Sequence, residues 1–150
     1  VDSKRIKDKD GLSAALVVAD IATTLATQGY TIGDQLENLA QRYGYFATGQ
    51  ISFRVNDLSI IENLMTRLRA TPLTELAGQA VTFTDSAGGW GEYPGTDAIQ
   101  FDLADGRRVI VRPSGTEPKL KCYLQAIGET RESSQALLAE LREAMSKVLD

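Results

Sequence analysis

The segment Arg112-Pro113-Ser114-Gly115-Thr116-Glu117-Pro118-Lys119 concentrates groups that hold anions. An arginine can grip a phosphate through two parallel N–H···O bonds, and a lysine supplies a point charge. Ser114 and Thr116 add hydroxyl donors. Gly115 lets the backbone approach a ligand closely and turn successive N–H groups inward. Pro113 biases Arg112 toward an extended conformation, which puts the arginine at the end of a strand; Pro118 does the same for Glu117. A loop stiffened in this way loses less entropy on binding. Arg107, Arg108 and Lys121 lie nearby, so basic residues gather here in a chain whose net charge is −4. The same residue types also build ordinary strand-to-strand connections. Glu117 would repel a phosphate unless it points away or pairs with a basic neighbour. Residue types alone leave a turn and an anion-holding loop both standing.

The rest of the chain narrows the chemistry. There is no histidine, which removes the commonest general base and metal ligand and excludes a Ser-His-Asp or Cys-His site within this chain. Cys122 alternates with Lys121 and Tyr123 and reads as a small core residue. Gly88-Gly89-Trp90-Gly91 lacks dinucleotide-fingerprint spacing and no phosphate-binding P-loop sequence occurs. Trp90 reads as a lid, a partner contact or a residue folded on the sheet. Asp8 and Asp10 read as solvated charges in a polar lead-in. No catalytic and no metal-binding residue is therefore assigned.

Composition fits one globular unit: 43% of the 150 residues are hydrophobic and 24% charged. The acidic balance argues against nucleic acid as a partner. No apolar run approaches the roughly 20 residues of a membrane span, so no membrane partner is expected. A lone cysteine makes the cytoplasm the expected compartment. A chain beginning at Val1 rather than Met suggests a processed product or an excised piece.

Two segments must position the loop. Leu12, Ala15, Leu16, Ala19, Ala22 and Leu25 recur at helical spacing after Asp10, with Val17, Val18 and Ile21 widening the apolar face, and Gly29 ends the pattern. Thr31 and Asp34 predict a capping box for a second helix with Ile32, Leu36, Leu39 and Tyr43 on its stripe. Residues 1–45 read as one segment and 46–150 as a separate α+β domain. In the latter, Ile51, Phe53 and Val55 alternate as a strand. Ser59 and Glu62 predict a capping box for a helix ending at Thr71-Pro72. Val81 and Phe83 form a strand, and residues 85–97 a glycine-rich loop. Ile99 to Leu103 and Arg108 to Arg112 form a hairpin about Asp105-Gly106. Leu120, Cys122, Leu124 and Ala126 make the last strand, and a helix capped by Ser133 or Ser134 follows. The order β-α-β-β-β-β-α predicts an antiparallel four- to five-stranded sheet with two helices on one face.

Arg112 to Lys119, continuing into Leu120-Lys121-Cys122-Tyr123, resembles the phosphate-binding signature of the α-D-phosphohexomutases, the phosphoglucomutase/phosphomannomutase superfamily. Asp8-Lys9-Asp10-Gly11-Leu12-Ser13-Ala14-Ala15 resembles the segment that opens the last helix of that family's third domain. The resemblance implies that residues 1–45 are the end of the third domain and a linker. Residues 46–150 are then the C-terminal domain, of TBP-like fold. It implies phosphate contacts from Arg112, Ser114, Gly115 and Thr116, with Lys121 or its rival Lys119 supplying the further cation.

Family members exchange a phosphoryl group between the 1- and 6-positions of a hexose phosphate through a hexose 1,6-bisphosphate. They use a phosphoserine in the first domain and Mg²⁺ held by aspartates in the second. The fourth domain grips the phosphate that is not reacting and closes the cleft. No serine loop, metal loop or sugar loop of the family type occurs in this chain. The resemblance thus implies an intramolecular phosphotransferase as a full-length protein and an inactive fragment here. Its partners would be the hexose phosphate and the remaining domains of the enzyme. The rival reading is a non-catalytic module for phosphate or a phosphorylated ligand.

Overall fold

The computed structural model describes residues 9–89 and 91–149. Asp8 and Trp90 lie outside the described residues. The chain divides into two compact units, Val1–Tyr43 and Gly44–Asp150.

The first unit is a helix pair. Helix α1 spans Gly11–Thr27, with the Asp10 carboxylate accepting the Ser13 N–H at 3.0 Å as its cap. It ends as the N–H groups of Gln28, Gly29 and Tyr30 fold back onto the carbonyls of Leu25 and Ala26. Helix α2 spans Ile32–Tyr43. Thr31 and Asp34 close the expected capping box in both directions: the Asp34 N–H donates to Thr31 Oγ1 at 3.1 Å and the Thr31 N–H to Asp34 Oδ2 at 2.8 Å. Neither helix contains a buried residue, and Leu12 and Leu16 are 85% and 73% exposed. Among the described residues no single helix is long and apolar enough to cross a membrane.

The second unit is α+β. Its strands are β1 (Tyr45–Arg54), β2 (Glu75–Leu76), β3 (Gln79–Asp85), β4 (Ile99–Leu103), β5 (Arg108–Pro113) and β6 (Lys119–Gly128). They form one antiparallel sheet in the order β1-β6-β5-β4-β3-β2. Helices α3 (Leu58–Ala70) and α4 (Arg131–Leu149) cover one face. From α3, Ile61, Leu64, Met65 and Leu68 join the core; from α4, Leu138, Leu141, Met145 and Leu149. They meet the inward residues of the strands, including Phe101, Val109, Val111, Leu120, Cys122 and Leu124. Each such side chain gains about 1.5–3 kcal/mol on burial, which is what holds helix to sheet. Cys122 is fully buried and its thiol is pushed up to about 12 by desolvation, so it stays protonated and inert.

The sheet has six strands rather than four or five. Strand β2 is only two residues long and pairs with β3 around Ala77-Gly78, whose φ angles are both positive. A two-residue strand leaves no alternation to read. Strand β1 starts at Tyr45, well before Ile51. Gly49 breaks its apolar alternation because α4 passes there; a Cβ on Gly49 would meet the Arg142 guanidinium at 2.7 Å.

Two helix starts also differ from expectation. Helix α3 is capped by Asp57, whose carboxylate accepts the Ser59 N–H at 2.9 Å, so Ser59 lies inside the helix. An aspartate one residue outside the first turn reaches that N–H directly, leaving the Ser59–Glu62 pairing without a role. Helix α4 is capped by Thr130: its Oγ1 accepts the Ser133 N–H at 3.1 Å while Ser133 Oγ accepts the Thr130 N–H at 3.0 Å. Ser133 supplies the second half of that exchange. Ser134 is buried and its hydroxyl donates to the Arg131 carbonyl.

Candidate functional site

The hairpin β5–β6 carries the loop. The Ser114 N–H donates to the Lys119 carbonyl at 2.9 Å, closing residues 114–119, and the Val55 N–H donates to the Pro118 carbonyl at 3.1 Å, tying the loop to the end of β1. Gly115, Thr116, Glu117 and Pro118 are exposed, and Ser114 is half-buried. The N–H groups of Gly115 and Thr116 donate to nothing among the described residues. Gly115 does not adopt a left-handed conformation, and a Cβ there would meet nothing within 4 Å. What glycine provides at this tip is open space over the two donors.

Strand parity sorts the basic residues. On β5, Val109 and Val111 point into the core, so Arg108, Ile110 and Arg112 share the face that no helix covers. On β6, Leu120 and Cys122 are buried, so Lys119, Lys121 and Tyr123 share that same open face. Register then brings the cations together. Arg112 lies opposite Lys121, and on the far side of β6 Lys119 lies opposite Arg54. Partners directly opposite in an antiparallel pair stand about 5 Å apart at Cα, and like charges placed so are destabilising. Two such pairs meet here beside the loop. The side chains of Arg112 and Lys121 make no ion pair or hydrogen bond among the described residues.

Glu117 answers its own objection by pairing. Its Oε2 takes the Lys119 ammonium, and Oε1 lies 3.6 Å from Arg54 Nη2. The hydrogen bond from Lys119 holds the Glu117 carboxyl below the usual carboxylate range, helped by the charges of Lys119, Arg54 and Lys121.

Arg107 and Arg108 do not belong to this cluster. Arg107 has the parity of Val109 and Val111, and its side chain is 2% exposed. It donates to Asp105 Oδ2 at 2.8 Å, to Glu140 at 3.4 Å and to the carbonyls of Ala77 and Leu137 at 3.3 and 3.4 Å. Its charge knits the β4–β5 turn to β2 and α4. Arg108 is on the open face but is neutralised by Asp102 at 2.6 Å. Arg54, by contrast, is a member that sequence reading missed. Its alternation with Phe53 and Val55 signals the open face, but nothing local says that β1 lies beside β6.

One hollow adjoins the loop and a second lies further along the sheet. On the helix side a cavity of about 320 Å³ is lined by Leu58, Ile61, Met65, Pro113, Ser114 and Glu117, among others. On the open face, further along β6, Gln50, Ile110, Tyr123 and Gln125 help line a shallow groove of about 450 Å³. The glycine-rich segment after β3 is held at both ends by Arg69, which reaches Asp85 at 3.0 Å and Asp97 at 2.6 Å. Among the described residues no group of three or more His, Cys, Asp or Glu side chains could hold a metal ion. The donor set of the loop is cationic and hydroxylic, which suits an anion and not Mg²⁺.

The family model described as phosphoglucomutase/phosphomannomutase, C-terminal domain, matches residues 54–148. This chain belongs to that family. A probable phosphomannomutase of Haemophilus influenzae is 42% identical to this family member over 150 residues, covering 99% of the chain and 30% of the relative. A human glucose 1,6-bisphosphate synthase is 30% identical, covering 97% of the chain and 26% of its own length. A human phosphopentomutase is 29% identical, covering 95% and 26%. The chain thus spans less than a third of the curated relatives it matches. Among solved structures, the open form of the phosphoglucomutase parafusin from Paramecium superposes with a TM-score of 0.74 at 18% identity, covering 98% of this chain and 28% of that one. That likeness is one of fold.

Proposed function

We propose that this chain is the phosphate-anchoring part of a sugar phosphomutase, gripping the phosphate that is not being transferred. The observation that carries the proposal is the pair of like-charge contacts on one open face, Arg112 with Lys121 and Lys119 with Arg54, against a single neighbouring carboxylate. A fold keeps such a cost where an anion repays it. Arg112 and Lys121 would supply charge, and the Gly115 and Thr116 N–H groups and the Ser114 and Thr116 hydroxyls would supply directed hydrogen bonds. Lys121, whose side chain has no ion pair or hydrogen bond among the described residues, would make the first lysine contact.

The relatives' names mention phosphomannomutase, phosphopentomutase and glucose 1,6-bisphosphate synthase. They share a phosphorylated sugar, and phosphate is all that this loop is built to read. The groove past Tyr123 would give the sugar a mainly uncharged surface, with Arg108, already paired to Asp102, as its one charged lining residue. The anchor would contribute positioning, while the nucleophile and the Mg²⁺ that supports phosphoryl transfer would come from other domains of a longer chain. Hexose 1,6-bisphosphate would be held by one of its two phosphates. Closing of a cleft over the substrate would bring this loop onto it.

Titration of the chain with inorganic phosphate and with hexose 1,6-bisphosphate should give saturable binding of both. Mutase turnover by the chain alone should be absent, and measurable turnover would contradict an anchoring role without chemistry. Gly115→Ala should leave the thermal midpoint unchanged, since its Cβ meets open space, yet weaken phosphate binding by crowding the loop donors. Unaltered affinity in that variant would show that the ligand does not approach the loop tip.

A further inference from the structure

Glu117 sits inside the cluster whose charge it opposes, and the following reading rests on the anchor proposed above. Its carboxylate holds the Lys119 ammonium and lies 3.6 Å from Arg54, on one side of β6. On the other side, the side chains of Arg112 and Lys121 are without partners among the described residues. The cations therefore fall into an open pair and a pair engaged by a carboxylate. The Lys119 side chain is only 13% exposed while Glu117 is 43% exposed, so the carboxylate is the mobile partner and the lysine the embedded one.

We infer that Glu117 is a built-in counter-ion of the anchor: it holds Lys119, and an arriving phosphate takes that lysine over. A phosphate resting on Arg112 and Lys121 comes within one strand spacing of the Glu117–Lys119 pair. The two anions then repel each other across a few ångströms while competing for one ammonium. The Glu117 carboxylate is exposed to water, so the exchange is open to a dianion that offers the lysine more charge and more acceptor oxygens. The carboxylate swings toward solvent, and Lys119 turns to the phosphate. The arrangement sets the affinity of the anchor below what its four cations could reach. It also returns Lys119 to Glu117 whenever phosphate leaves, which suits a clamp that must release its ligand in every cycle. The low carboxyl pKa keeps the counter-ion charged at neutral pH.

The test is calorimetric titration with inorganic phosphate of the wild-type chain, Arg112→Ala, Glu117→Gln and the double variant Glu117→Gln/Lys119→Ala. Thermal unfolding of each verifies that it is folded. Glu117→Gln is expected to bind roughly three- to tenfold more tightly, because it removes one repulsive charge at strand-spacing distance. The double variant should lose that gain. Unchanged or weaker binding by Glu117→Gln, alongside weaker binding by Arg112→Ala, overturns the counter-ion and leaves the anchor intact. A gain that survives in the double variant overturns the hand-over of Lys119. Wild-type affinity in Arg112→Ala overturns the anchor and the counter-ion with it.

Discussion

Replacing Arg112 by alanine should weaken binding of inorganic phosphate and of hexose phosphates by roughly ten- to hundredfold, the loss expected when a charge-assisted, bidentate donor is removed. The stability of the chain should not fall. Arg112 is exposed, its side chain makes no hydrogen bond or ion pair among the described residues, and it faces Lys121 across the ladder. Its removal relieves a like-charge contact, so the thermal midpoint should stay level or rise slightly. The contrast between lost binding and retained stability is the signature of a side chain kept for a ligand. In a longer mutase the same substitution should raise KM for sugar phosphate and leave phosphorylation of the enzyme's own nucleophile possible. Phosphate affinity equal to wild type would mean that the loop is only a turn.

Arg107→Ala should behave in the opposite way. Its guanidinium is buried and satisfied by two carboxylates and two carbonyls. Truncation leaves the Asp105 carboxylate and the carbonyls of Ala77 and Leu137 without that donor and opens a hole between β2, β5 and α4. Breaking such a network costs about 2–4 kcal/mol, which lowers the melting temperature of a unit this size by on the order of 10 °C. Arg107→Met retains the apolar stem and should recover part of the loss. Below the transition, phosphate affinity should match wild type, because Arg107 lies on the core side of the sheet. A drop in phosphate affinity with little change in melting would place Arg107 in the anchor after all.

These two arginines show how much the sequence carried. Residue type alone groups Arg107, Arg108 and Arg112 as one basic patch. Parity with Val109 and Val111 was available to separate Arg107, and parity with Cys122 to put Lys121 on the open face. The loop was legible because its residues are contiguous: proline, glycine and hydroxyl residues sit between two alternating strands. The helices and the last five-residue alternations were legible for the same reason, since their periods repeat within a short window. Arg54 was not legible as a member. It comes from a strand far earlier in the chain, and only the pairing of β1 with β6 brings it to Lys119. The pairing of Glu117 with Lys119 depends on the turn between them, which residue types do not specify. The caps of α3 and α4 lie two to four residues before the expected ones because several Ser, Thr and Asp residues compete at each start and only one reaches the free N–H.

Phosphate held at the tip of the β5–β6 hairpin would lie between Arg112, Lys121 and the N–H groups of Gly115 and Thr116. Titration of the isotopically labelled chain with inorganic phosphate, followed through its backbone amide resonances, tests this most directly. Saturable shifts are expected that are largest at Gly115 and Thr116, extend to Arg112 and Lys121, and vanish in Arg112→Ala. Shifts that leave Gly115 and Thr116 unmoved, or that gather on another face of the domain, would contradict it.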